Sequence, residues 1–169
     1  MASPLLLIPS CLEIVLCESD SGTMIFEDTK RPFGAGDLTV ISCDVPHTTY
    51  SSPGTASKWS YLFVDLTGLL TPLFSGSDLR IFNLLTILEH RTSLILNERD
   101  YPEIPALAAK IMRELERKED YYEISVRGLF LTLLPDLARQ YRQIAPSAEK
   151  TDDQHPAPAM VIAPALDSI

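Results

Sequence analysis

The chain has 169 residues, of which 46% are hydrophobic and 22% are charged, a composition typical of one soluble globular domain. Its 14 basic and 23 acidic residues give a net charge of −9, which argues against this chain binding nucleic acid or an anionic membrane surface by itself. No apolar run approaches the length of about 18 residues that a membrane-spanning helix needs.

The first part of the chain has the pattern of short strands separated by turns. The β-branched and apolar segments that predict strands are 11–17, 23–26, 38–42 and 59–65. Clusters of Ser, Asp, Pro and Gly lie between them and predict turns. Strands and turns that alternate at this short spacing indicate a sandwich or a barrel.

The three cysteines favour a reducing compartment. Cys11 and Cys17 lie in one predicted strand, where six residues span roughly 20 Å. A disulfide needs Cα atoms closer than about 7 Å, so these two residues are not expected to form one. With Cys43 the count is odd, and no C-x-x-C motif is present. We therefore expect free thiols, no zinc site and a cytoplasmic location.

The spacing of apolar residues lengthens after about residue 78. Residues 81–88 are spaced as in a short helix, and residues 92–96 predict a returning strand. Asp100 and Glu103 resemble a capping box, and Pro102 suits a first helical turn. From there an apolar stripe from Ile104 to Leu115 predicts a helix that ends near Lys118.

A second long helix is predicted over about 123–142. Its apolar residues cover more than one face, so the helix must bury more than one face. We expect the surplus to form a twofold interface between two copies of the chain, although burial inside one domain would also explain it. The residues assigned to this dimer interface are Phe130, Leu133, Leu134 and Leu137.

The end of the chain reads as a linker followed by a new apolar segment. Residues 145–158 are polar and contain three prolines, a composition typical of an extended linker. Residues 160–169 are apolar again. The pattern predicts a further domain after residue 169.

Two motifs in the strand-rich part resemble those of cupins. Gly36 and His47 have the separation of the Gly and His in the second cupin motif, although Ser42-Cys43-Asp44 replaces its Pro-x-Gly turn, and Glu13 followed by Asp20 and Gly22 resembles the first motif. Together with the strand at 59–65 and the helices after it, the ordered set resembles the sensory domain of AraC/XylS-family transcription regulators. The resemblance covers about residues 5–145.

The resemblance implies a fold that is mainly β with α, a cupin-like jelly-roll β-barrel followed by a pair of dimerisation helices. The implied divisions are an effector-binding barrel at 5–74, a helical dimerisation region at 75–145, and a linker with the start of a helix-turn-helix domain at 146–169. In that family the helix-turn-helix units contact DNA.

The metal ligands of catalytic cupins are incomplete in this sequence. Those enzymes hold a metal with a His-x-His pair shortly before the glutamate, and here residues 6–9 are Leu, Leu, Ile and Pro. Only Glu13 and His47 remain, which is poor support for a transition metal. No phosphate-binding glycine loop or catalytic triad motif is present either. We therefore expect neither metal nor cofactor and no enzymatic activity.

Strand periodicity predicts where a ligand would bind. Side chains alternate along a strand, so Cys11, Glu13, Val15 and Cys17 share one face. A glutamate that points into an apolar barrel needs a hydrogen-bond donor, which His47 or a ligand hydroxyl would supply. Aromatic walls with one or two polar groups are typical of small-molecule sites. The predicted effector-binding residues are Glu13, His47, Trp59, Tyr61 and Phe63, although the aromatic residues would equally suit a filled barrel core.

The sequence thus predicts a homodimeric sensory module that binds a small polar effector, with sugars among the candidates. DNA binding is expected only through the C-terminal domain, and no contact with a membrane is expected. The alternative is a stand-alone cupin, either an enzyme or a sugar-binding protein.

Overall fold

The computed structural model describes residues 11–42, 44–73, 79–89 and 93–144, which contain seven strands and four α-helices. The strands are β1 (Cys11–Ser19), β2 (Ser21–Phe26), β3 (Thr29–Gly34), β4 (Leu38–Ser42), β5 (His47–Ser51), β6 (Lys58–Asp65) and β7 (Ser93–Leu96). The helices are α1 (Leu66–Leu70), α2 (Leu79–Glu89), α3 (Glu103–Arg117) and α4 (Tyr122–Ile144). A short 3-10 turn, Thr71–Leu73, follows α1.

The strands form two antiparallel sheets. One has the order β6-β1-β4-β7 and the other the order β3-β2-β5. Side chains from both sheets meet in one apolar cluster, which shows that the sheets pack face to face; its buried members are Cys17, Met24, Phe26, Phe33, Ile41 and Val45. The described chain is therefore a mixed α and β structure built on two antiparallel sheets, in agreement with the predicted class.

Strand β1 is buried on both of its faces. Leu12 and Ile14 belong to the large core beneath the helices, whereas Val15 and Cys17 face the second sheet. A strand covered on both sides needs a continuous apolar sequence, which explains why 11–17 is nearly uninterrupted. Consequently, a displacement of β1 would change the packing both between the sheets and beneath the helices.

Strands β3 and β5 were not predicted. Thr29–Gly34 contains a proline and a terminal glycine, and His47–Ser51 has no apolar alternation. Both are outer strands of the smaller sheet, where one side of the backbone needs no partner strand and polar residues and proline are tolerated. Strand β7 was predicted, and it pairs with β4 although it lies inside the segment 75–145 that was expected to be helical.

Helix α3 follows the predicted apolar stripe, but its start differs. Pro102 occupies the N-cap position and makes no side-chain capping bond, so the predicted capping box is wrong. Asp100 instead closes a turn with Asn97: its backbone N–H donates to Asn97 Oδ1 at 2.8 Å, and Asn97 Nδ2 donates to its carboxylate at 2.9 Å. The Asp100 carboxylate, which was expected to cap α3, therefore accepts a hydrogen bond within the turn that precedes the helix.

The four residues assigned to the dimer interface lie in the core of one chain. Phe130, Leu133, Leu134 and Leu137 are all buried, the last three completely, and they belong to the cluster beneath the helices. Helix α4 packs against both α3 and α2, so its surplus of apolar residues is hidden within the protomer. The argument from surplus apolar surface is therefore corrected: as placed, these four side chains are not available to a second copy.

None of the helices in the described ranges is long and apolar enough to cross a membrane. Cys11 and Cys17 are buried and unpaired. Cys43, the linker at 146–169 and the residues before position 11 lie outside the described residues.

Candidate functional site

The register of β1 and β6 places the predicted site residues on one face of the larger sheet. Glu13 pairs with Phe63, Val15 with Tyr61, and Cys17 with Trp59. Because directly paired residues of an antiparallel ladder point to the same side, these side chains all lie on the face that opposes the smaller sheet. The side chains of β1 thus alternate as the sequence predicts. The structure adds that β1 pairs with β6, which the sequence did not predict.

The structure brings Glu13 and His47 together across the two sheets. Glu13 Oε2 lies 3.6 Å from His47 Nε2, and the two side chains are 12% and 26% exposed. This separation is longer than a hydrogen bond and is that of an ion pair. His47 Nδ1 lies 3.1 Å from the carbonyl oxygen of Val45. A ring nitrogen next to a carbonyl oxygen must donate, so the proton of neutral His47 is on Nδ1. Nε2 then faces the carboxylate either as an acceptor or, in the imidazolium, as a second donor.

Burial raises the pKa of Glu13 above its ordinary value, and the charge of a protonated His47 opposes this rise. The pKa of Tyr61 is also raised, first by burial and then by the negative charge of Glu13. Glu13, His47 and Tyr61 therefore form one electrostatic group between the sheets. We call these three residues the Glu13 cluster.

The polar groups of this cluster have unused hydrogen-bonding capacity. Within the described part of the chain, no residue donates a hydrogen bond to the Glu13 carboxylate or pairs with the Tyr61 hydroxyl. Thr39, completely buried on the same face of the neighbouring strand β4, also has a hydroxyl without a partner among the described residues. Buried polar groups are nearly always hydrogen-bonded in native proteins. The cluster is thus suited to a ligand or to water that supplies the missing donors.

The cluster is open to solvent along one side of the sandwich. Strands β5 and β6 are the outer strands of their sheets, and none of the strands in the described ranges covers them. Tyr61 and Phe63 are 56% and 58% exposed, although both point toward the second sheet. Two large aromatic side chains left in water beside a carboxylate form an accessible wall. We call this opening the β5–β6 cleft.

Trp59 lies apart from the cluster. It pairs with Cys17, four residues along β1 from Glu13, a distance of about 13 Å. Its ring packs edge-to-face on Phe33 with centroids 4.4 Å apart, and its indole N–H donates to Ser57 Oγ at 2.9 Å. Trp59 thus packs in the core between the sheets, which was the alternative reading of the aromatic residues.

The chemistry available at the cluster is acceptance and donation of protons by the Glu13 carboxyl and the His47 ring. In the described ranges, no three His, Cys, Asp or Glu side chains are grouped to hold a metal ion. The Cys17 thiol donates weakly to the carbonyl of Ser19, and burial raises its pKa, so it is a poor nucleophile. The arrangement is suited to holding a polar molecule.

A groove of about 660 Å³ lies on the opposite side of the sandwich, along β3 and β7. None of the five predicted effector residues lines it. Sequence reasoning missed it because residues 31–33 were described only as leading into a turn and were not assigned to a strand, so that Arg31 and Phe33 had no assigned face. A polar strand with a proline at a sheet edge gives no periodic signal that would have revealed them.

Compared with models of known protein families and with characterised proteins, the chain matches none. The function is therefore argued from the geometry of the molecule and from the motifs in its sequence.

Replacing Glu13 with glutamine is expected to stabilise the fold more as the pH rises. Because the pKa of Glu13 is raised on folding, its contribution to stability is present below the pKa of the unfolded chain and is lost as the pH rises through the folded value. Glutamine does not ionise. The gain in the free energy of unfolding over the native chain should therefore increase from about pH 4 to about pH 8 in urea titrations.

The matched control is Glu116→Gln, the same chemical change at an exposed site on α3. Its effect on unfolding should not depend on pH in the way that the Glu13 change does. A Glu13→Gln variant whose stability relative to the native chain falls with rising pH would contradict the burial of an under-compensated carboxylate.

Proposed function

We propose that this chain is the effector-sensing and dimerisation module of an AraC-type transcription regulator. In this proposal a small polar effector binds at the Glu13 cluster, and DNA is contacted by a helix-turn-helix domain that follows residue 169. The observation that carries the proposal is a mostly buried carboxylate to which none of the described residues donates a hydrogen bond, beside exposed aromatic side chains at the open side of two facing sheets. The cupin-like motifs quoted above supply the family.

The order of elements supports this assignment. Two facing antiparallel sheets precede two long helices, α3 and α4, which cover the outer face of the larger sheet through the common core. This arrangement fits a cupin-like jelly-roll barrel followed by a helical pair. Positive φ at Gly36, in the turn before β4, fits the glycine of the second cupin motif, because L side chains rarely adopt that conformation.

The cleft favours a ligand that carries a hydrogen-bond donor and an apolar face. A hydroxyl donating to Glu13 would supply the partner that the carboxylate lacks, and its own oxygen would accept from His47 or Tyr61. The rings of Tyr61 and Phe63 would cover the apolar side of such a ligand. Sugars meet this description, and they remain candidates together with other hydroxylated or amine-bearing compounds.

Strand β1 gives the ligand a route to the helices. Glu13 faces the cleft, while its neighbours Leu12 and Ile14 pack in the core beneath α3 and α4. A ligand that draws Glu13 toward His47 would also move these two side chains. It would act as an effector if it bound one arrangement of the helices more tightly than another.

Dimerisation is assigned to the outer face of α4 in place of the buried residues. Ile124 and Leu131 are 70% and 39% exposed, and Gly128 between them has open space around its Cα. At spacings of four and three residues these positions form one stripe on the side away from the core. Isologous packing of this stripe on its copy would bury it and would place two DNA-reading units at a fixed separation. Buried, unpaired Cys11 and Cys17 suit the cytoplasm, where such a regulator works.

The test uses the parent gene and its product. After codon 169 the gene should continue into a basic segment with helix-turn-helix units. The full-length protein should shift its own promoter DNA, whereas the 169-residue chain, with its charge of −9, should not at physiological salt. A stop codon directly after Ile169, or sequence-specific DNA binding by the 169-residue chain alone, would overturn the proposal. Chemical turnover of a bound sugar would favour the stand-alone cupin instead.

A further inference from the structure

The groove along β3 and β7 is an open surface groove of about 660 Å³ whose lining mixes apolar and charged side chains. That volume is large enough for a small molecule, since ligand cavities usually measure roughly 300–1,000 Å³. Phe33 and Ile95 supply apolar surface from the facing sides of the two sheets. It lies at the opposite edge of the sandwich from the Glu13 cluster, because β3 and β7 are the outer strands there. The remaining lining residues are Arg31, Pro32, Ala35, Asp37, Asn97, Glu98 and Arg99.

Arg31 is a half-buried cation that forms no ion pair with the residues the structure describes. It pairs with Met24, so it points toward the space between the sheets. Its guanidinium carbon lies 5.7 Å from the centre of the Phe26 ring, and Nη1 donates to the carbonyl of Ser93 at 3.3 Å. No carboxylate of the described ranges lies within ion-pairing distance of it. Buried charges are normally paired, so this one lacks an expected anion.

The guanidinium stands at the boundary of two cavities and keeps free donors. Besides the main groove, Arg31 lines a smaller cavity of about 200 Å³ with Phe26 and Ser93. Of its five N–H groups, the structure assigns one to a protein acceptor. The planar fork of a guanidinium matches the two oxygens of a carboxylate. Arg99, the other arginine of the groove, is already paired with Asp100 at 3.1 Å and is largely exposed.

The acidic residues of the groove lie at its other end. Glu98 follows Ser93 by five residues, roughly 16 Å of extended chain from the carbonyl that Arg31 contacts. Asp37 lies in the turn after β3, where its carboxylate accepts from the N–H of Gly34 at 2.8 Å. The groove therefore has a cation at one end, an apolar middle and negative charge at the far end.

We propose that this groove is a second binding site, which takes a small monocarboxylate with an apolar body. The carboxylate pairs with Arg31, and the apolar body lies on Phe33 and Ile95. Glu98 and Asp37 stand at the far end, away from the bound carboxylate. The site does not depend on the proposed effector function, since it shares no residue with the Glu13 cluster.

The test is a titration of the native chain with hexanoate and hexanamide, followed by NMR shifts of the Ile95 methyl groups and the Phe33 ring. Hexanoate should give saturable shifts, whereas the uncharged hexanamide should bind at least tenfold more weakly. Arg31→Gln should weaken hexanoate binding at least tenfold. Arg113→Gln, the same change at an exposed arginine of α3 outside the groove, should leave it unchanged.

Equal shifts with hexanoate and hexanamide, or undiminished hexanoate binding by a folded Arg31→Gln chain, would overturn the proposal. Arg31 also joins the two sheets through Ser93, so its variant is checked by thermal unfolding. If that variant does not fold, the comparison of hexanoate with hexanamide on the native chain decides, because it needs no variant.

Discussion

A Leu134→Glu chain is expected to lose its folded structure. Leu134 is completely buried in the core that joins the helices to the larger sheet. A carboxylate there would lose its hydration without gaining a partner, and removing the leucine alone costs about 2–5 kcal/mol. Since domains of this kind are stable by about 5–15 kcal/mol, the combined cost removes most or all of the stability. Circular dichroism on heating should show no cooperative transition.

The matched variant is Ile124→Glu, the same kind of change at an exposed position of α4. Ile124 is 70% exposed, so this chain should fold with nearly unchanged thermal stability. Sedimentation should report the native chain at about twice 18.8 kDa and the Ile124→Glu chain as a monomer. A folded Leu134→Glu chain would contradict the packing of α4, and a dimeric Ile124→Glu chain would contradict the assignment of its outer face.

A Gly22→Ala chain should be destabilised by about 3 kcal/mol, because its added methyl group has no space. A Cβ at this position would lie 2.1 Å from the carbonyl oxygen of Tyr50 and 2.5 Å from Cζ of Phe33. The first contact is with backbone, so relief requires β2 and β5 to separate. The free energy of unfolding from urea titration measures the effect.

Gly34→Ala provides the control on the neighbouring strand. A Cβ there comes no closer than 4.0 Å, to Asp37 Oδ2, so its effect should stay within about 0.5 kcal/mol. Equal losses in the two variants would mean that the general preference for glycine in this sheet, and not the close approach at Gly22, sets the cost.

The elements that the sequence predicted are those with a dense apolar run or a regular apolar spacing. Strands β1 and β4 are buried at most or all of their positions and appear in the sequence as apolar runs, whereas helix α3 presents one apolar stripe at helical spacing. Strand β6, where only Val64 is fully buried, was predicted from its aromatic and β-branched residues. Strands β3 and β5 were not predicted, because they are outer strands with polar sequences. The apolar excess of α4 was visible, but its cause depends on which helices surround it. Periodicity reports that a face is buried and does not report by what.

The candidate site also has a part that local alternation predicts and a part that depends on how the two sheets are placed. Alternation along β1 predicted the face of Glu13, and the structure adds its 3.6 Å contact with His47. That contact depends on how the two sheets are placed, which no local pattern contains. Trp59 was grouped with Tyr61 and Phe63 on strand periodicity alone, yet its position at the other end of β6 puts it against Phe33. Arg31 was overlooked because strand β3, which contains it, was not predicted.

The central claim is that the Glu13 cluster binds a small polar effector, and ligand-induced thermal shifts test it most directly. The native chain, Glu13→Gln and Glu116→Gln are each heated with a panel of sugars, polyols and small hydroxylated or amine-bearing compounds. A compound that binds the folded chain stabilises it in proportion to the logarithm of its concentration over Kd. We predict such stabilisation of the native and Glu116→Gln chains by members of one chemical class, and none of Glu13→Gln. A panel that stabilises no chain, or that stabilises Glu13→Gln as much as the native chain, would contradict the claim.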